Sequence, residues 1–284
     1  MQRFTPLLFV FLWSTGFIGA KFGLPYAEPL SFLLTRYGLV IGLMLLVVMA
    51  TRAPWPKEAA QWWHIGVSGI LVHAVYLGGV FVAISHGLPA GVTALVVGMQ
   101  PLLTAFSAGW LLGEKVTPRQ WGGLVLGFLG VGLVVAGKLG EANLGPMLWP
   151  AVIALLGITA GTLYQKRFCA RFDLRTGSVI QFVPTALVTA VAVALFEDYR
   201  INWTGEFVFA LAWLVLVLSL GAISLLNLLI RNGSAVNVAS LFYLTPPTTA
   251  LVAWVVFGET LTLTATLGML IAVSGVYLVA RPAR

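Results

Sequence analysis

Along this chain, long uninterrupted apolar runs alternate with short polar stretches. Continuous runs of that kind read as helices, because a strand of a membrane barrel would instead alternate apolar and polar positions over about ten residues. A helix needs roughly 20 apolar residues to cross the hydrocarbon layer. On that measure the pattern predicts an all-α membrane protein with ten transmembrane helices, at about 5–22, 31–50, 64–85, 89–112, 118–137, 145–164, 178–196, 207–230, 235–257 and 263–280. The first run follows Arg3 as a secretory signal would. No clear small-residue cleavage site closes it and nine similar runs follow, so it is expected to remain as a span.

The pattern is also written twice. Ala90, Pro101, Thr104, Ala105, Gly113 and Glu114 recur without a gap as Ala235, Pro246, Thr249, Ala250, Gly258 and Glu259, a constant shift of 145 residues. The same shift carries Gly16 and Lys21 onto Gly161 and Lys166, and Gly123 and Gly130 onto Gly268 and Gly275. Two units are therefore expected, 1–140 and 141–284, each of five helices. Five is odd, so the second copy enters the membrane from the opposite side, giving two inverted repeats around a central cavity.

Composition agrees with the pattern: 60% hydrophobic residues, 9% charged and a mean hydropathy of +0.98 leave more apolar side chain than a water-soluble globule of this size can hide. Of the 16 basic residues, 12 fall on the N-terminal side when loops are numbered alternately, including Arg52, Lys57, Lys115, Arg167, Arg175 and Arg231. Basic loops stay in the cytoplasm, so both termini are expected there, in a multi-pass protein of a bacterial inner membrane. The net charge of +7 then reflects loops facing anionic lipid, and no nucleic-acid partner is expected. Three histidines and the single Cys169 give no metal cluster and no intramolecular disulfide, and nothing calls for a cofactor.

Candidate chemistry lies within the spans. Pro101 and the pair Pro246-Pro247 fall inside the fourth and ninth, and are expected to break those helices as gate elements by freeing the carbonyls of Val97, Phe242 and Tyr243. Gly123, Gly127 and Gly130 match Gly268, Ala272 and Gly275, a small-residue face for close helix packing. Trp13, His73, Tyr76, Thr159, Asn227 and Tyr243 are the expected substrate contacts, His73 and Tyr76 sharing a face at a spacing of three. The other reading of such polar groups is helix-to-helix hydrogen bonding. His73 is the one span residue that titrates near neutral pH, which makes proton coupling conceivable. Arg36 is expected near the external end, snorkelling outward or pairing with Glu28 or helix carbonyls, and Glu114 and Glu259 are expected to tie the repeats together.

Two inverted fives, each closing with Ala…Pro-x-x-Thr-Ala…Gly-Glu and a glycine-bearing helix, together with Trp13-Ser-Thr-Gly16 and Phe32-Leu-Leu-Thr-Arg36-Tyr, resemble the EamA-type branch of the drug/metabolite transporter superfamily, most nearly its bacterial aromatic amino-acid exporters. The resemblance covers essentially the whole chain. It implies a monomeric carrier with a cavity between the halves, lined mainly by the first, third, fourth, sixth, eighth and ninth helices. The copies differ: Gln181 stands opposite Arg36, and Leu218 and Gly221 stand opposite His73 and Tyr76, which suits one asymmetric solute. The expected activity is export of amino acids, aromatic or other bulky neutral ones, and of related metabolites or toxic aromatic cations, by alternating access. Sugars, nucleosides or purines are the alternative on the same fold. A membrane-embedded enzyme or receptor is remote, since the chain lacks HExxH, GxSxG and paired carboxylates at membrane depth.

Overall fold

A computed structural model describes residues 4–88, 90–139, 148–169, 172–257 and 261–280. Twelve helices are laid out along them: α1 Thr5–Gly23, α2 Pro29–Thr51, α3 Ala59–Ser85, α4 Ala90–Val97, α5 Gln100–Leu112, α6 Pro118–Leu139, α7 Leu148–Phe168, α8 Leu174–Phe196, α9 Gly205–Asn232, α10 Ala235–Ser240, α11 Thr245–Phe257 and α12 Leu263–Ala280. Eight stretches among the described residues are long and apolar enough to cross a membrane, with α4 and α5 counted together as Val92–Leu112. The expected first and ninth spans differ. The apolar part of α1, Thr5–Gly16, is shorter than the rest, and 235–257 is cut by a 3₁₀ turn at Leu241–Leu244. Glu259 and Gly258 lie outside the described residues.

Element boundaries follow the 145-residue shift closely. α2 falls on α8, α5 on α11, and the start of α6 on that of α12. The shift also reproduces an irregularity that hydropathy does not reveal: Ile70–Leu77 within α3 and Leu214–Ala222 within α9 are wound as π-helix. Such segments are rare and concentrate at functional sites.

The prolines act as helix starts rather than kinks. Pro101 occupies the first turn of α5, after α4 has ended at Val97, and Pro246-Pro247 stand in the first turn of α11 after the 3₁₀ turn. Proline is tolerated there because the first amides of a helix have no intrahelical acceptor. The mid-helix proline is instead Pro184 of α8. Gly113, at φ 69°, closes α5 in the left-handed region that glycine enters without strain.

Helix ends are tied across the two halves of the chain. At the start of α2 the amides of Leu30 and Ser31 donate to the Glu197 carboxylate at 2.8 and 2.7 Å, and Ser31 Oγ adds a third bond at 2.7 Å. Glu197 follows the end of α8, while at the start of α8 Thr176 Oγ1 donates to the Pro54 carbonyl, beyond the end of α2, at 3.0 Å. α2 and α8 therefore run antiparallel. The loops beside them join through an antiparallel bridge of Ala27 with Ile201 and a 2.7 Å bond from the Asn202 amide to the Tyr26 carbonyl. Glu28 serves this junction, accepting from the amides of Asp198 and Arg200. Glu114 accepts from the Ala235 amide at 2.9 and 3.1 Å, the tie between halves that was expected of it.

α6 and α12 are also antiparallel, since Gly123 meets Gly275 and Gly130 meets Gly268. The glycine face is an internal seam. A Cβ on Gly275 would stand 2.5 Å from the Gly127 amide nitrogen, and one on Gly130 would stand 2.4 Å from that of Ala272. Backbone cannot yield as a flexible side chain does, so Gly275→Ala is predicted to destabilise the protein by about 1–3 kcal/mol. Gly132→Ala, whose Cβ meets nothing within 4 Å, should change stability by no more than about 1 kcal/mol. Thermal unfolding of the two variants in detergent checks this, and equal midpoints would refute the seam.

Candidate functional site

A narrow cavity of about 40 Å³ lies where the two π segments face α1 and α2. α1 contributes Trp13, Gly16 and Ala20, and α2 contributes Arg36. α3 contributes Tyr76, Leu77, Val80 and Phe81, and α9 contributes Leu214, Leu218 and Ile223. The rings of Trp13 and Tyr76 are nearly parallel, 8° apart with centroids at 6.3 Å. Phe242 sets the Trp13 plane from behind, edge-on at 5.4 Å and 85°. A wall of this kind suits a flat apolar solute, or a cation over a ring face.

Arg36 is the one charged lining residue. It is 3% exposed, and its Nε donates to Ser219 Oγ of the second π segment at 2.9 Å. The expected pairing with Glu28 does not occur, because Glu28 is taken up by the amides of Asp198 and Arg200. Two turns into α2, the side chain is buried among other helices. It turns inward.

The six expected substrate contacts are dispersed. Trp13 and Tyr76 line the cavity together, but His73 does not join them. Within the π segment the wider turn no longer puts residues three apart on one face, so His73 is directed at α2 and α8. Its ring stacks on Phe182 at 4.3 Å and 15°, its carbonyl accepts from Tyr37 Oη at 2.8 Å, and the Gln181 side chain lies beside it. Neither imidazole nitrogen completes a hydrogen bond. His73 is thus placed as a flat packing ring. Tyr243 is fully buried against Gly127 of the α6–α12 seam, whose Cβ would stand 2.5 Å from the tyrosine ring. Thr159 returns its hydroxyl to the Leu155 carbonyl of its own helix at 2.7 Å, the helix-bound alternative for such groups.

Asn227 belongs to a buried ring of neutral polar groups that the hydropathy pattern hides. Gln165 Nε2 donates to Asn227 Oδ1 at 2.9 Å and Asn227 Nδ2 to Gln181 Oε1 at 3.2 Å, while Gln181 Nε2 donates to Ser68 Oγ at 3.1 Å and Gln165 Oε1 at 3.4 Å. The ring joins α3, α7, α8 and α9. A second cavity, of about 220 Å³, adjoins it and is lined by Gln165, Lys166, Cys169, Phe172, Leu174, Asn227, Ile230 and Arg231. Lys166 does not stand free there, since its Nζ donates to the carbonyls of Ile230 and Gly233. One sequence signal could have exposed the ring: Gln181 is the repeat counterpart of Arg36. No group of His, Cys, Asp and Glu among the described residues could hold a metal ion.

The sequence profile of the EamA-like transporter family matches residues 4–136 and again 146–281. The chain belongs to that family. This EamA-like transporter is 29% identical to the uncharacterized transporter YvbV of Bacillus subtilis, over 97% of its own length and 91% of the relative's. It is 26% identical to the uncharacterized inner membrane transporter YedA of Escherichia coli, over 92% and 87%. A solved crystal structure shares its fold, with a TM-score of 0.80 at 19% identity, covering 97% of this EamA-like transporter and 95% of that chain.

Two predictions follow from the placement of side chains. Replacing His73 with Phe keeps the stack on Phe182 and removes two unpaired ring nitrogens, so the unfolding midpoint should hold or rise, by up to about 1 kcal/mol in stability. A fall of several degrees would restore a polar role to this ring. Outside the spans, burial pushes the Cys169 thiol up to about 11. Maleimide should then label it roughly a hundredfold more slowly at pH 8 than an unperturbed thiol, the rate rising about tenfold per pH unit up to pH 10. A plateau near pH 9 would contradict this.

Proposed function

We propose that this protein is an alternating-access carrier that exports amino acids, aromatic or other bulky neutral ones, across a bacterial inner membrane. The observation that carries the reading is the cavity between the two π segments, with parallel aromatic faces at one wall and a single guanidinium at another. Such a site accepts a flat apolar body that also bears polar groups. Nothing in it resembles a cage for a bare ion.

The transport cycle proposed here treats α1 and 235–257 as the remaining two crossings, giving ten spans in two inverted halves, 1–140 and 141–284. The antiparallel course of α2 with α8 and of α6 with α12 supports the inversion, because each pair consists of counterparts under the 145-residue shift. Exchanging small differences between inverted halves would move the open end of the cavity from one side to the other. The breaks before Pro101 and before Pro246-Pro247 are the proposed hinges. A basic N-terminal side places both termini in the cytoplasm, and the protein is taken to act as a monomer.

Counterflow in liposomes tests the reading. Labelled phenylalanine or tryptophan should exchange saturably, and Trp13→Ala or Tyr76→Ala should reduce that exchange at least tenfold, equivalent to about 1.4 kcal/mol. Saturable flux of a sugar or nucleoside with none of any amino acid would sink it. A reporter active only in the cytoplasm, fused to the C-terminus, should give signal; a silent fusion would break the ten-span topology.

A further inference from the structure

The guanidinium of Arg36 limits the solute more than the rings do. Ser219 Oγ takes Nε at 2.9 Å, and neither Nη atom hydrogen-bonds to any described residue. Nor are the Nη atoms sealed among the buried unpaired groups, since the side chain borders the cavity. Every described carboxylate is engaged or exposed elsewhere. Glu197 caps α2, Glu28 and Glu114 hold loop and helix amides, Asp173 and Asp198 pair with Arg175 and Arg200, and Glu58 and Glu206 are exposed. A cation held at membrane depth by one neutral hydroxyl leaves much of its desolvation uncompensated. Such residues persist where a function needs them.

Ser219 also fixes the aim of the group. With Nε bound to the second π segment, the two Nη donors form a planar fork directed at the cavity, and a carboxylate matches that fork with two parallel hydrogen bonds. No lining residue is acidic, so the cavity offers an ammonium only aromatic faces. We propose that Arg36, held by Ser219, is the carboxylate anchor of this cavity, and that its ligands are monocarboxylates whose apolar or aromatic body lies against Trp13, Tyr76 and Phe81. An amino acid qualifies by its carboxylate rather than its amine. The anchor rests on the carrier reading for its purpose, but its chemistry is testable without transport.

The decisive measurement is ligand-dependent thermal stability of the purified full-length protein in detergent, with 3-phenylpropionate and phenethylamine as probes. The first keeps the carboxylate of phenylalanine and lacks the ammonium; the second does the reverse. The wild type should be stabilised saturably by 3-phenylpropionate and not by phenethylamine. Arg36→Gln should weaken the 3-phenylpropionate effect at least tenfold, and Ser219→Ala should weaken it several-fold while retaining the charge. Should Arg36→Gln not survive purification, Arg36→Lys decides, because it keeps the charge but loses the fork: at least fivefold weaker binding supports the anchor and unchanged binding overturns it. Equal stabilisation by both probes, or none by 3-phenylpropionate, also overturns it. The carrier reading fails separately. Arg36-dependent binding of 3-phenylpropionate with no saturable amino-acid flux removes amino-acid carriage and leaves the anchor, whereas phenylalanine flux that 3-phenylpropionate does not inhibit removes the anchor and leaves carriage.

Discussion

Inside a bilayer there is no water to accept a stray hydrogen bond, so every polar group at that depth must find its partner within the protein. The architecture follows from that demand. Where helices begin, carboxylates from the opposite half take up the free amides, as Glu197 does for Leu30 and Ser31 and Glu114 for Ala235. Where a helix must restart at depth, proline occupies its first turn and so withholds a donor that would otherwise lack an acceptor. Where helices must touch, glycine brings the backbones of α6 and α12 together, and dispersion replaces the hydrophobic drive that lipid cannot supply.

Against that background the exceptions are informative, and they are of two kinds. His73 leaves both ring nitrogens unpaired but is enclosed by Phe182, Tyr37 and the polar ring around Gln181, where its flat shape is useful and its polarity is not. Arg36 differs because the groups left without a protein partner border open space. Only the second kind of exception presents donors to something that enters.

Sequence made the membrane class, most helix positions and the two-copy plan legible, because each rests on hydropathy or on residue identity repeated at one spacing. The candidate site was legible only in part. Trp13 and Tyr76, visible without coordinates as aromatic side chains within apolar runs, share the lining of one cavity. His73 was misplaced because α-helical spacing was assumed where the chain is π-wound, and no periodicity test separates those windings over eight residues. Arg36 was misjudged for a related reason: snorkelling depends on which way the side chain faces, and hydropathy carries no facing. Ser219 and Gln165 passed unnoticed, and Gln181 and Asn227 stood out without the ring they form, because a neutral polar residue in an apolar run does not show its partner, here 46 to 183 residues away.

The two copies put different chemistry at one position, and that difference bears on how a carrier would let go. Arg36 and Gln181 are counterparts, one offering a charged fork to a cavity, the other locked among neutral amides and Ser68. If inverted halves exchange conformations, a carboxylate drawn to Arg36 in one state meets only amide dipoles at the matching position in the other. Attraction that is strong in one state and weak in the other is what a ligand needs to shift an equilibrium between them, since equal affinity for both shifts nothing. A second arginine at 181 would make the path symmetric and hold the anion at both ends. With Gln181 held neutral in the polar ring outside that cavity, the proposed carrier would keep Arg36 as its one anchor for the anion.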